Sequence, residues 1–322
     1  MDLFIHIIIF LVSCTILYYA GNWIINGIIK VSHKLGWKEF IVAFVMMASA
    51  ASLPNLLVGV SSALRHIPEL SFGDVMGGNL VALTVATALA IIFSAKQEIS
   101  AYSRTVQMSL LFTVGAAILP PLLVLNGVLS RLDGVILIMY FFVYIIWLYL
   151  KRDSMVFQPR DIVKAKPDNV TDFKKTDFFW IFSGLVLVVV AAQGIVVSAS
   201  FFAEGLGMSL VLVGILIVAL GNALPQTYFA VSSSRRGQHW LMLGSIMGSI
   251  IIPATLVLGI VALIQPIEVA TLDAAIAGRF FLLIAILVFF LAIKTSQKLI
   301  LREAYMLAAV YILFVGYMIF IF

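Results

Sequence analysis

The sequence predicts an all-α integral membrane protein whose ten transmembrane helices form two inverted five-helix repeats. Three observations lead there: 63% of the residues are hydrophobic and 11% charged, the apolar stretches are long enough to cross a bilayer, and one series of motifs recurs at a fixed shift. A mean hydropathy of +1.16 excludes a water-soluble globule and makes lipid the solvent. The pI near 9.3 does not point to nucleic acid, because the basic residues sit in short runs between apolar spans with no interleaved aromatic patch. A single cysteine, Cys14, lies inside the first apolar stretch and rules out a disulfide framework.

Taken in order, the apolar stretches are 3–29, 40–64, 72–95, 105–126, 132–150, 178–203, 209–234, 241–264, 276–293 and 304–322. Each is long enough to cross a hydrocarbon layer about 30 Å thick as a helix, the longer ones with tilt. The first is read as a helix and not a secretory leader, since Asp2 stands where a basic segment belongs and no small-residue cleavage site follows. The polar stretch 151–177 has mixed charge and two prolines, Pro159 and Pro167, and reads as a linker between halves 1–150 and 178–322.

Placing each Lys and Arg relative to these spans puts 17 on one side of the membrane, including seven in the linker, and only Arg65, Arg131 and Arg279 on the other. Basic loops stay in the cytoplasm, so the linker is expected inside and both termini outside a plasma membrane crossed many times. The repeat agrees. A shift of 171 residues aligns 35–84 with 206–255, pairing Leu53/Leu224, Pro54/Pro225, Ser61/Ser232, Arg65/Arg236, Gly73/Gly244 and Gly77/Gly248. That shift spans five helices, an odd number, so the second copy is expected upside down.

Pro54 and Pro225 each fall in mid-span, where a proline cannot donate to the carbonyl four residues earlier, and the oxygens of Ala50 and Gly221 are released. Freed carbonyls at membrane depth need protein, water or an ion as partner, and a symmetric pair of such breaks marks a transport site. The glycines at i and i+4 in the next helix of each half, Gly73/Gly77 and Gly244/Gly248, let backbones approach closely and should pack against the proline helices. Asn79 lies on that glycine-bearing helix and is expected to face Asn55; its repeat mate is Ile250, so the site cannot be fully symmetric. Ser249 is as well suited to bonding its own helix backbone as to lining a site.

These residues resemble the sodium/calcium exchanger family of the calcium/cation antiporter superfamily. That family carries a G-T-S-L-P-E-like motif and a G-N-x-x-G-S-N-like motif in each repeat. Here the first reads Ala50-Ala51-Ser52-Leu53-Pro54-Asn55 and Gly221-Asn222-Ala223-Leu224-Pro225-Gln226, and the second Gly73-Asp74-Val75-Met76-Gly77-Gly78-Asn79 and Gly244-Ser245-Ile246-Met247-Gly248-Ser249-Ile250. The resemblance implies a cation antiporter that works by alternating access, with Na+ or Ca2+ as transported ions and no cofactor. It places the cation site at Ser52, Asn55, Asn79, Asn222 and Gln226 with the carbonyls of Ala50 and Gly221.

Both motif glutamates are amides here, Asn55 and Gln226, and the hydropathy boundaries leave Asp74 and Glu204 near outer helix ends, so the site is expected to be neutral. The cost of burying an ion grows with the square of its charge, so a neutral site should favour sodium over calcium, and amides cannot carry protons. A transport-inactive relative with a binding or regulatory role is the competing reading. An intramembrane enzyme is not supported: His6, His33, His66 and His239 have no carboxylate or histidine partner at helical spacing. The expected partners are the lipid bilayer and small inorganic cations.

The orientation is testable in a Cys14→Ser background. A single cysteine at Ala165 should be shielded from an impermeant thiol reagent in intact cells, and one at Ser130 should react; the reverse pattern would overturn the charge-based topology.

Overall fold

With no water at membrane depth, each backbone N–H and C=O needs a partner within its own segment, and the described chain is accordingly almost entirely helical. The computed structural model describes residues 2–34, 39–102, 104–150, 175–237, 239–269 and 273–321; of residues 24–34, 39–51, Pro225 and a few others only the backbone is described. The helices are α1 (Asp2–Lys34), α2 (Glu39–Leu64), α3 (Glu69–Val81), α4 (Thr87–Ile92), α5 (Arg104–Leu123), α6 (Arg131–Leu150), α7 (Lys175–Leu206) and α8 (Leu210–Val213). They continue with α9 (Ala219–Arg235), α10 (His239–Ile252), α11 (Leu258–Ile264), α12 (Asp273–Ser296) and α13 (Leu301–Ile321).

Among the described residues eight helices are long and apolar enough to cross a membrane, and nine if the pair Leu210–Leu224 and Gln226–Arg235, bent by 44° around Pro225, is taken as one span. The stretch expected at 40–64 coincides with α2, which runs as a helix through Pro54. The expected linker lies outside the described residues, apart from 175–177, which open α7.

Two spans form the centre: in an apolar 18-residue window 83% of the residues are buried in Glu69–Ile92 and in Met242–Ile264, against 22% in Leu3–Ala20 and in Arg131–Leu150. The outer helices carry their large apolar side chains outward, such as Phe4, Leu11, Phe142, Phe179 and Phe320, as helices facing lipid do. Each central span contains a π-helical turn, Ala82–Ala86 between α3 and α4 and Pro253–Val257 between α10 and α11. A π turn takes carbonyls out of the regular ladder. Threonine hydroxyls donate to backbone oxygens there: Thr84 to Leu80 O (2.5 Å) and Thr87 to Ala82 O (2.8 Å) in one span, and Thr255 to Ile251 O (2.6 Å) in the other.

Short antiparallel ladders join the halves at both ends. β1 (Glu98–Ser100) pairs with β4 (Lys298–Ile300), and β2 (Val128–Leu129) with β3 (Ile267–Glu268). Thus the loop after α4 is tied to the loop after α12, and the loop after α5 to the loop after α11. The ladder β1–β4 is closed by an ion pair of Lys298 with Glu98 at 3.3 Å. Helix α6 starts at a capping box in which Ser130 N and Oγ donate to Asp133 Oδ2 (2.8 and 2.7 Å).

The close crossing that organises the centre uses the glycines singled out in the sequence. A Cβ at Gly73 would run into the Val211 carbonyl oxygen, and one at Gly77 into that of Ile215; from the other side, a Cβ at Gly214 would lie 2.6 Å from Leu70 O and 2.8 Å from Asp74 N. Helix α3 therefore meets the α8–α9 segment of the second half backbone to backbone. In the related contact α10 packs against α2. Substituting Gly77→Val should cost about 1–3 kcal/mol through overpacking, whereas Gly316→Ala, with nothing within 4 Å, should be neutral or slightly stabilising. Thermal unfolding in detergent reads the difference, and equal midpoints for the two variants would mean that the crossing tolerates a wider gap.

Candidate functional site

Where α3 crosses the second half, it carries Asp74, one residue beyond Gly73 and fully buried at 0% exposure. Hydropathy alone places this residue near an outer helix end and predicts no carboxylate deep in a span; the structure corrects both. Helix α3 begins at Glu69, immediately after Pro68, rather than at 72, and the glycine crossing draws Asp74 into the interior. Glu204, by contrast, does lie exposed near the end of α7.

Two amides from the two proline helices hold the Asp74 carboxylate. Asn55 of α2 donates from Nδ2 to Oδ2 at 3.1 Å, and Asn222 of α9 donates from Nδ2 to Oδ1 at 3.0 Å and to Oδ2 at 3.1 Å. A carboxylate that only accepts requires both amides to turn their NH2 groups toward it, which leaves each amide oxygen for other contacts. Hydrogen bonds to a charged partner contribute about 1.5–3 kcal/mol each, and without them a buried carboxylate would be costly to desolvate. Asp74 is the one buried acidic side chain among the described residues.

Asn55 and Asn222 also line a small cavity together with Asn79, Gln226 and Ser249. Asn79 is 1% exposed, and both its Nδ2 and its Oδ1 are buried without a hydrogen-bond partner. An amide left unpaired in the interior is costly unless something polar completes it, so this cavity is built for a polar or charged occupant. Ser249 lines the cavity but donates to Ile246 O at 2.9 Å, so both readings of that serine hold.

Of the site residues expected from the sequence, Asn55, Asn79, Asn222 and Gln226 converge on this cavity, and Ser52 is buried nearby on α2. The side chain of Ala50 lies outside the described residues. Gly221 turns its α-carbon toward α1, where a Cβ would meet Cys14 Sγ at 2.9 Å and the Phe10 ring at 3.1 Å. Asp74 is the residue that sequence reasoning missed. Its signal was the adjacent Gly73: a residue beside a backbone crossing cannot be at a solvated end.

A family model described as sodium/calcium exchanger protein matches residues 5–150 and 176–320. The chain belongs to the sodium/calcium exchanger family. Its relatives include an uncharacterized membrane protein of Methanocaldococcus jannaschii, 26% identical over 247 residues that cover 74% of this chain and 76% of that one. The sodium/calcium exchanger MaX1 of Methanosarcina acetivorans is 23% identical over 304 residues, 84% of this chain and 86% of its own length. The solved structure of the sodium-calcium exchanger NCX_Mj, soaked with Na+ and Ca2+, shares the fold with a TM-score of 0.66 and 23% identity, over 97% of this chain and 98% of that one.

This exchanger-family chain is thus a membrane antiporter and not an enzyme. Asn55 and Asp74, one from each of the first half's two motif segments, are hydrogen-bonded to each other. The transport-inactive reading rested on missing carboxylates, and with Asp74 at the site that ground is gone.

Removing a donor tests how the carboxylate is held. Asn222→Leu should lower stability by about 2–3 kcal/mol, measured by thermal unfolding of the purified protein, and the loss should be markedly smaller in an Asp74→Asn background. Equal losses in both backgrounds would show that the hydrogen bonds to Asp74 are not what Asn222 contributes.

Proposed function

We propose that this exchanger moves small cations across the plasma membrane by alternating access around the cavity between Asn55 and Asn79 on one side and Asn222 and Gln226 on the other. The observation that carries this reading is the buried Asp74 carboxylate behind a cavity lined by amides, one of them unpartnered. The cation site comprises Asn55, Asn79, Asn222 and Gln226, with Ser52 and the backbone oxygens of Ala50 and Gly221, one turn before Pro54 and Pro225. Asp74 supplies the negative charge that an ion leaving water must find there.

The chain crosses the membrane ten times in two inverted repeats, 1–150 and 178–322, joined by a cytoplasmic linker at 151–177, with both termini outside. Three observations support this organisation. The π turns of the two central spans recur at the 171-residue spacing of the sequence motifs, whereas a third, Gly214–Val218, has regular α-helix at the matching place in α2. The two ladders exchange approximately under that shift, β2 falling on β4 and β1 a few residues beyond β3, as a pseudo-two-fold axis in the membrane plane would bring about. The β1–β4 ladder also joins two loops that the charge count puts in the cytoplasm, and the β2–β3 ladder two loops that it puts outside. A site on such an axis is reached from either side as the two halves rock against each other.

The reading is tested in liposomes that contain the purified full chain and are loaded with Na+. Dilution into medium with tracer 22Na+ should give uptake at least tenfold above protein-free vesicles, and uptake should need Na+ inside, because an antiporter returns its site only when loaded. Uptake that is independent of internal cation would indicate a channel and overturn the antiport reading.

A further inference from the structure

Accepting the cavity as the cation seat, we propose that the seat holds one monovalent cation at a time and that the protein exchanges one monovalent cation for another, one for one and without net charge movement. The argument starts from the charge inventory. Among the described residues no group of three His, Cys, Asp or Glu side chains converges anywhere, and Asp74 is the one buried acid. Every other side chain that holds Asp74 or lines the cavity with a polar group is neutral: Asn55, Asn79, Asn222, Gln226 and Ser249.

One buried negative charge is balanced by one monovalent ion. A divalent ion would leave a full positive charge uncompensated in a low-dielectric interior, on top of a desolvation cost that grows with the square of its charge. Calcium sites gather several carboxylates among six to eight oxygens, and here a single carboxylate is already engaged by two amides.

The arrangement of those amides explains how Asp74 acts on an ion it does not itself face. Asn55 and Asn222 direct their NH2 groups to the carboxylate, and each lines the cavity as well. Donating to an anion polarises an amide and increases the negative charge on its oxygen. The seat therefore presents neutral oxygens whose field is strengthened from behind by one unit charge, with the unpartnered Asn79 completing the set. Such oxygens suit an alkali cation. An antiporter releases one ion only in return for another at the same seat, so both legs of the cycle carry a single positive charge and the exchange is electroneutral.

The test uses purified full-length protein in detergent and in liposomes. With wild type, Na+ should raise the thermal midpoint in a saturable manner and Ca2+ at equal ionic strength should not. Tracer Na+ exchange should exceed 45Ca2+ uptake at least tenfold and stay constant when a thiocyanate gradient imposes a membrane potential. Asp74→Asn should abolish the Na+ shift, and Asp74→Asn with Asn55→Asp, which returns the charge to the neighbouring helix, should restore most of it. Gln226→Glu, which adds a second carboxylate, should bring in a Ca2+ shift. Calcium uptake by wild type comparable to sodium exchange, sodium exchange that follows the imposed potential, or an unchanged Na+ shift in a folded Asp74→Asn would each overturn the proposal while leaving cation antiport intact. A normal Na+ shift without any flux would instead support the monovalent seat and sink the transport reading. The wild-type measurements decide the matter even if no variant folds.

Discussion

The buried carboxylate of Asp74 is the constraint around which the centre of the molecule is arranged. A charge at that depth is tolerable only with donors in reach, and they arrive from two helices that belong to different halves: Asn55 on α2 and Asn222 on α9. For both to reach it, α3 must cross the second half at backbone contact. The missing side chains at Gly73, Gly77 and Gly214 make that crossing possible, and Gly214 lies against the backbone of Asp74 itself. Close helix packing, the hydrogen bonds and the position of the cavity are thus one feature seen at three scales.

The scaffold around this point is nearly symmetric, while the site is not. The π turns of the two central spans and the threonines at 84 and 255 obey the 171-residue shift, and the two ladders follow it to within a few residues. Under the same shift Asp74 corresponds to Ser245, Asn79 to Ile250 and Asn222 to Ala51. The polar groups are therefore unequally divided: the first half supplies the charge and the unpaired amide, and the second half supplies Asn222 and Gln226. In the proposed exchange cycle the symmetry would serve the motion of the two halves, and the departures from it would concentrate the chemistry at the proposed seat.

How much of this could be read in advance differs between fold and site. Helix positions followed from hydropathy because a bilayer sorts residues chiefly by the free energy of leaving water, and the expected stretches fall on the observed helices within a few residues. The motif pairs located four of the cavity residues, Asn55, Asn79, Asn222 and Gln226, because a mid-span proline or a glycine pair leaves a mark in the sequence. Asp74 escaped because hydropathy assigns a carboxylate to the nearest interface. A window average cannot register that a neighbouring helix is close enough to bring donors to it.

Composition and periodicity determined on their own that the chain lives in a membrane, where its helices run, that one series of motifs recurs at a fixed shift, and that Pro54 and Pro225 stand in the middle of spans, since each of these depends on local residue type and spacing. Tertiary structure alone decided the charge of the site. Whether Asp74 is a solvated helix end or a buried anion depends on helix start, crossing distance and the reach of Asn55 and Asn222, and those are set by the contact of segments far apart in sequence. A charge buried among donors and a charge exposed to water have the same letter in the sequence; the free energy that separates them comes from what the fold places around it.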